Sequence, residues 1–176
     1  MSRINLTLGC YENFPQSIHR IDRFNSKFSS KRLQQKLIQV LHELNCREFS
    51  FEEVANPAVP QGRVIFEFGV AESEGFNFID KEELEKALTF LSRTRLHSMD
   101  FFCSIRYYRL KGKKKMPLKF DYYMLRTLFS KNMVEFQVFH ERGPRYLSPE
   151  ELTEFVYVKM NKSSIKTKKI LNRTNI

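Results

Sequence analysis

The fold is decided by residues 99–141, MDFFCSIRYYRLKGKKKMPLKFDYYMLRTLFSKNMVEFQVFHE. Within them, 99–110 and 118–129 are rich in Phe, Tyr, Ile and Leu, and 133–141 alternates apolar with polar residues, as half-buried strands do. A lysine-rich link and a tight Ser-Lys-Asn turn separate the three runs. Consecutive strands with short links pair as hairpins, so this stretch predicts three neighbouring antiparallel strands.

Two further strands and three helices are predicted outside this stretch. Residues 48–52 and 63–71 alternate apolar and polar side chains, and a loop that contains Pro57 and Pro60 separates them, which suits an antiparallel pair. Three other segments carry one apolar stripe at helical spacing, each behind a Ser or Asp that can cap the first turn. These predicted helices are 31–45, 80–94 and 148–160.

This element order, in which strands follow one another, predicts an α+β fold. We expect a single domain with a mainly antiparallel sheet of about five strands, and two or three helices packed on one face. The core of the domain is expected to span residues 30–160. Residues 1–29 show no sustained periodicity and stay without a structural prediction, and residues 161–176 are expected to form a basic, flexible tail.

Positive charge is concentrated in two places. Lys and Arg total 30 against 20 for Asp and Glu, a net charge of +10. The stretch from Arg106 to Lys119 carries seven of these cations and residues 161–176 carry five, both without an acid, so the rest of the chain is near neutral. This asymmetry indicates an anionic partner that binds at one place.

Several classes of protein are excluded by the sequence. No apolar run approaches the roughly 20 residues that span a bilayer, and the first residues form no signal peptide, which predicts a cytoplasmic protein without membrane contact. The three cysteines are scattered and form neither a disulfide framework nor a metal-binding pair. Glycine-rich nucleotide motifs, metal-ligand spacings and the RNP1 motif of RNA-recognition domains are missing, so no cofactor and no metal are predicted.

The strands around the lysine-rich link carry aromatic rings next to cations. Rings on an open sheet can stack on bases, while Arg and Lys neutralise phosphates, so we expect a protein that binds RNA or single-stranded DNA, alone or in a ribonucleoprotein. Strand register decides whether Arg106 and Arg126 share a face. The predicted nucleic-acid-binding residues are Arg106, Tyr108, Arg109, Lys111, Lys113, Lys114, Lys115, Lys119, Tyr123, Arg126, Arg142, Arg145, Lys166, Lys168 and Lys169.

Two other functions stay open. In the first, the aromatic sheet is buried against a second copy of the chain or another subunit, and the basic segments only adjust solubility. In the second, His140, Glu141 and Arg142 process a phosphodiester by acid–base chemistry. Neighbouring strand residues point to opposite faces, however, so His140 and Glu141 are not expected to face one another. A non-catalytic binding protein is therefore the leading prediction.

Overall fold

The computed structural model describes residues 8–56, 58–162 and 169–174, and within them the chain forms nine strands and four helices. In chain order these are β1 (Arg20–Asn25), α1 (Ser30–Leu44), β2 (Glu48–Ser50), α2 (Phe51–Val54), β3 (Gly62–Glu72), β4 (Gly75–Phe78), α3 (Lys81–Arg93), β5 (Ser98–Lys111), β6 (Lys114–Pro117), β7 (Asp121–Ser130), β8 (Met133–Arg142), α4 (Pro149–Lys162) and β9 (Asn172–Arg173). None of the helices in these ranges combines the length and the apolar composition that a bilayer span requires.

The nine strands form one antiparallel sheet. Its main path runs in the order β2-β3-β5-β7-β8-β1-β9, while β4 pairs with the far end of β3 and β6 with the far end of β5. Where β3 and β5 separate, Gly9 bridges them, since its N–H donates to the Ala71 carbonyl and its own carbonyl accepts from the Asp100 N–H, both at 2.6 Å. The segment before β1 is therefore fastened to the middle of the sheet.

Helices pack on one face of the sheet, which we call the covered face. Side chains alternate along a strand, and every second residue of β3, β5, β7 and β8 points to this face and is buried. From α4, Phe155 stacks on Phe66 of β3 with ring centroids 5.0 Å apart, and Tyr157 stacks on Phe24 of β1 at 4.7 Å. Leu41 of α1 is completely buried in the same core.

The other half of the strand residues forms the opposite surface, which we call the open face. Its side chains are half-exposed along the middle four strands of the sheet. The segment before β1 crosses one end of this face, where the Arg126 guanidinium lies 4.3 Å from the centre of the Phe14 ring. The central members of the open face are Arg63, Ile65, Glu67, Phe102, Ser104, Arg106, Tyr108, Tyr122, Met124, Arg126, Gln137 and Phe139.

The α+β prediction and the antiparallel sheet are confirmed, but the predicted size is wrong: nine strands replace about five, and four helices replace two or three. The additional strands β4, β6 and β9 have four, four and two residues, too few for alternation to show. The additional strand β1 mixes Arg and Asp with Ile and Phe on both sides. The additional helix α2 is a single turn of four residues.

The segment predicted as a basic tail contains, in its described part 169–174, residues that pack on the body of the protein. Leu171 is fully buried, and its N–H and carbonyl are both bound by the Asn161 side-chain amide at 2.9 and 3.1 Å. The next two residues form β9, which pairs with the end of β1. Of the predicted binding residues here, Lys169 is exposed, and Lys166 and Lys168 lie outside the described residues.

Candidate functional site

Five aromatic rings form a continuous line across the open face, which we call the aromatic row. Its members are Tyr11, Phe76, Phe102, Tyr122 and Phe120, in that spatial order. Neighbouring ring centroids are 4.7, 5.6, 5.9 and 6.1 Å apart. Four of the rings are half-exposed and Phe120 is 36% exposed, so the row offers aromatic surface to a ligand.

Strand register places these rings together. Ser104 of β5 pairs with Tyr122 of β7, and Phe102 pairs with Met124, so the two strands present their alternate residues to the same side. The same register pairs Asp100 with Arg126. Because Asp100 and Arg106 have the same parity along β5, both predicted arginines lie on the open face, which answers the question that the sequence left open.

A β-bulge brings Arg142 to the aromatic row. The register between β7 and β8 shifts between Tyr122 and Tyr123, so that Tyr122 pairs with Arg142 while Tyr123 pairs with His140. The Arg142 guanidinium lies 4.5 Å from the centre of the Tyr122 ring, a cation–π contact. An extra residue in one strand re-aims the side chains beyond it, and here it turns an exposed cation toward an exposed ring.

Three of the predicted cations are already neutralised within the protein. Arg106 forms an ion pair with Glu67, Lys115 with Glu48 at 2.7 Å, and Arg126 with the fully buried Asp100 at 2.8 Å. The hydrogen bonds that the Arg126 guanidinium donates to Asp100 raise the pKa of Arg126 above its ordinary value, and that carboxylate also accepts from the Tyr11 N–H. Arg126 thus fixes the segment before β1 instead of facing a ligand.

The lysine-rich link is a hairpin made by the end of β5 and by β6. Gly112 occupies the turn with φ +64°, a left-handed conformation that glycine adopts without steric cost. Lys111 pairs with Lys114 across the hairpin, and Lys113 lies in the turn between them. Within the described residues these three exposed lysines form no ion pair, and neither do the neighbouring exposed cations Arg109 and Lys119.

Tyr123 lies on the covered face and is therefore not part of the candidate surface. Its side chain is fully buried and its hydroxyl donates to the Leu147 carbonyl. Burial and the nearby Asp121 carboxylate raise the pKa of Tyr123 well above its ordinary value. The prediction of a stacking ring at this position is wrong, because the register gives the exposed position to its neighbour Tyr122.

On the covered face, a polar cluster is centred on the buried carboxylate of Asp121. It accepts hydrogen bonds from the Tyr107 hydroxyl at 2.6 Å, the Arg145 N–H at 2.8 Å and the Tyr146 N–H at 3.0 Å, and His140 Nε2 lies at 2.9 Å. Burial, followed by the bond to Asp121, raises the pKa of Tyr107. Arg145 serves this cluster, since its Nε also lies 3.2 Å from His140 Nδ1.

The three residues of the enzyme hypothesis are separated by the sheet. His140 is buried in the Asp121 cluster on the covered face, Arg142 lies over Tyr122 on the open face, and Glu141 is exposed in the bulge between them. They share no space in which a reacting phosphodiester could meet all three. In the part of the chain that the structure describes, no group of three or more His, Cys, Asp or Glu side chains is arranged to hold a metal ion.

His19 is expected to make stability depend on pH. Its Nδ1 accepts the His140 N–H at 2.8 Å and its ring stacks on Phe139 at 4.9 Å. Burial, and after it Arg145 and His140, lower the pKa of His19 from its ordinary 6.5. The folded state therefore binds fewer protons than the unfolded state below about pH 6.5, so the free energy of unfolding falls as the pH drops through this window. Urea unfolding at several pH values between 7.5 and 5 measures this fall in the free energy of unfolding.

The matched variant for this test is His19→Asn, whose side-chain oxygen can accept the same N–H but does not titrate. We expect the free energy of unfolding of this variant to fall less steeply with acid than that of the wild type. If the free energy of unfolding depends on pH equally in the two proteins, His19 does not contribute to this dependence.

Sequence reasoning did not assign Phe76, Phe102, Phe120 and Tyr122 to the site. Alternation alone shows rings at both parities of 118–129, and only the pairing of Ser104 with Tyr122 selects the exposed set. Phe76 lies on β4 opposite Ala71, in a strand too short to show a pattern. The chain matches no known protein family, no curated protein and no solved structure with which it was compared.

Proposed function

We propose that this protein binds RNA or single-stranded DNA on its open face, with the aromatic row as the platform for bases and the lysine hairpin as a contact for phosphates. The observation that carries the proposal is the aromatic row itself, with the guanidinium of Arg142 over the ring of Tyr122. A place in a ribonucleoprotein and the cytoplasmic location expected from the sequence belong to the same proposal.

The spacing of the rings suits unpaired bases. Rings 5.6–6.1 Å apart on one face of the sheet present several π surfaces in succession, and a base stacked on an aromatic side chain contributes about 1–3 kcal/mol. In a duplex the bases are already stacked and paired, so these surfaces remain unused. The geometry therefore favours single strands or the unpaired loops of a structured RNA.

Cations that form no ion pair with the described residues surround the rings and the adjoining end of β5. They are available to phosphates without first breaking an ion pair, unlike Arg106, Lys115 and Arg126. Each phosphate contact with a single strand contributes about −0.7 to the slope of log affinity against log salt. Within the described residues, the cations of this kind are Arg63, Arg109, Lys111, Lys113, Lys114, Lys119 and Arg142.

Changing Lys113 and Lys114 to alanine is expected to weaken the binding of a single-stranded oligonucleotide by about tenfold and to make the salt slope shallower by about 1.4, that is, two phosphate contacts. Both side chains are exposed and form no ion pair with any residue that the structure describes, so the fold is not expected to change. Fluorescence anisotropy against single-stranded RNA, single-stranded DNA and duplex DNA at several salt concentrations measures both quantities.

The matched control is Lys81→Ala with Arg93→Ala, which removes the same charge from the two ends of α3. It is expected to change the affinity only slightly and to leave the salt slope as in the wild type. Equal losses in the two variants would reveal a general charge effect, and no binding of the wild type to any nucleic acid at moderate salt would refute the proposal.

A second candidate function is supported by exposed apolar side chains. Ile21, Phe78 and Phe120 are 47, 45 and 36% exposed, and such surfaces are often buried against another protein. A second copy of the chain or another subunit would then cover the open face. Light scattering after size-exclusion chromatography separates the two functions, because a stable dimer that excludes nucleic acid supports the second.

A further inference from the structure

A second basic site lies at the end of the sheet away from the lysine hairpin. A cavity of about 370 Å³ is bounded by the β7–β8 turn with Lys131 and Asn132, by the start of α1 with Lys27 and Ser30, and by Arg95 between α3 and β5. Its volume is near the lower end of the roughly 300–1,000 Å³ that small-ligand pockets occupy. The cavity therefore has room for a compact ligand.

The lining of this cavity carries positive charge and no acid. Lys27, Arg95 and Lys131 are exposed, and within residues 8–56, 58–162 and 169–174 none of them forms an ion pair. Lys31 also lines it and is held by the Ser92 carbonyl at 2.7 Å. Three cations that line one concave surface, without an ion-pair partner among the described residues, make it attractive to an anion.

The walls of the cavity are held in place by hydrogen bonds. The Ser26 N–H donates to the Asn132 carbonyl at 3.0 Å, which joins the segment before α1 to the β7–β8 turn. The Ser26 hydroxyl accepts from the Phe28 N–H at 3.1 Å and donates to the Ile170 carbonyl at 2.7 Å. The cations thus project from a fixed frame, which lowers the entropy lost when a ligand binds.

We propose that this cavity binds a phosphate group. A tetrahedral, multiply charged anion can accept charge-assisted hydrogen bonds from Lys27, Arg95 and Lys131 together, and a guanidinium can hold two of its oxygens. The phosphate can belong to a small phosphate ester or to the end of a nucleic-acid strand, and both sources present the same chemistry to the site.

This site is separate from the lysine hairpin. Arg95 lies before the first residue of β5, whereas the hairpin is made by the last residues of β5 and by β6. β5 has 14 residues, a length of about 46 Å for an extended strand. The cavity can therefore bind its ligand whether or not the proposed function is correct.

The test is a titration of the isotope-labelled full chain, followed by the amide NMR shifts of Ser30 and Asn132. The probes are sodium phosphate, AMP, and a short RNA with either a 5′-phosphate or a 5′-hydroxyl, and sodium chloride at equal ionic strength gives the baseline. The variant is Lys27→Ser with Arg95→Ser and Lys131→Ser. Its matched control loses three charges from the hairpin instead, by Lys111→Ala, Lys113→Ala and Lys114→Ala.

We expect saturable shifts at the cavity that are weakened about tenfold or more by the cavity variant and are kept by the hairpin variant. Binding of AMP and inorganic phosphate assigns the site to small ligands, whereas tighter binding of the 5′-phosphorylated RNA than of the 5′-hydroxyl RNA assigns it to strand ends. The proposal is overturned if no phosphate probe shifts these amides beyond the chloride baseline, or if both variants weaken the shifts equally. Oligonucleotide binding that fails only in the hairpin variant tests the proposed function separately.

Discussion

Replacing Asp121 by alanine is expected to lower the free energy of unfolding by about 4 kcal/mol. The carboxylate is completely buried and accepts from the Tyr107 hydroxyl and from two backbone N–H groups, those of Arg145 and Tyr146. Alanine leaves these donors without a partner, and each unsatisfied buried group costs about 1–3 kcal/mol. Urea denaturation followed by circular dichroism measures the loss.

The control for this prediction is Glu141→Ala, which removes an exposed carboxylate near the same turn and is expected to change stability by less than about 0.5 kcal/mol. Asp121→Asn keeps the size of the side chain. Its amide oxygen can still accept a hydrogen bond, but its NH₂ group cannot accept and faces a donor. We expect its loss to be between those of the other two variants. A stable Asp121→Ala protein would show that water or a rearranged turn replaces the carboxylate.

The same carboxylate determines how the chain enters α4. Gly143 has φ +119°, and a Cβ atom there would collide with the Phe120 carbonyl and lie 2.8 Å from Asp121 Cα. The turn from 143 to 147 is therefore pressed directly onto the start of β7. The Arg145 and Tyr146 N–H groups of this turn donate to Asp121, and the N–H of the fully buried Leu147 donates to the Tyr107 hydroxyl at 3.0 Å. These bonds hold the chain at the start of α4.

Replacing Tyr122 by alanine is expected to weaken the binding of single-stranded RNA or DNA by about fivefold to 150-fold, the equivalent of about 1–3 kcal/mol for one stacked base. Tyr122 lies between Phe102 and Phe120 in the aromatic row and carries the guanidinium of Arg142 at 4.5 Å. Its removal interrupts the platform and releases the arginine. Fluorescence anisotropy at fixed salt measures the change.

Two variants make the result specific. Tyr122→Phe keeps the ring and is expected to bind nearly as the wild type does. Met116→Ala removes a side chain that is 44% exposed and lies on β6, opposite Arg109 of β5. This variant is expected to change the affinity little. If Tyr122→Ala binds normally while the Lys113 and Lys114 variant does not, the protein binds phosphates but the open face is no platform for bases.

Local patterns predicted the strands and helices whose own residues define them. The strand predicted at 48–52 is shorter in the structure, because Phe51 begins α2, but the remaining β2 pairs antiparallel with β3 as expected, with Phe49 opposite Val64. Asp80 caps α3 by accepting the Glu83 N–H at 2.8 Å. β1 could not be predicted in this way, because its polar side chains bind other charged groups. Arg20 pairs with Asp22 at 2.9 Å, and both have the same parity along β1 as the buried Phe24. The alternation of apolar and polar residues is therefore broken.

The candidate site depended on contacts that no local pattern contains. Both faces of 118–129 carry rings in the sequence, and the pairing with β5 made Tyr122 exposed and Tyr123 buried. The counter-ions Glu67 and Asp100 neutralise two predicted arginines across neighbouring strands. Composition therefore located the basic hairpin. Only the strand register showed which rings lie on the open face and which cations are neutralised by a neighbouring acid.

The place of β1 in the sheet has a consequence for how the chain is assembled. Its partner β8 is distant along the chain, as the contact between Arg23 and Glu135 shows, since these residues are 112 positions apart. At roughly 5–20 residues per second, a ribosome needs about 6–22 s to make that stretch. During this time β1 has no strand to pair with, and such long-range pairing slows folding. A newly made chain therefore completes this edge of its sheet last.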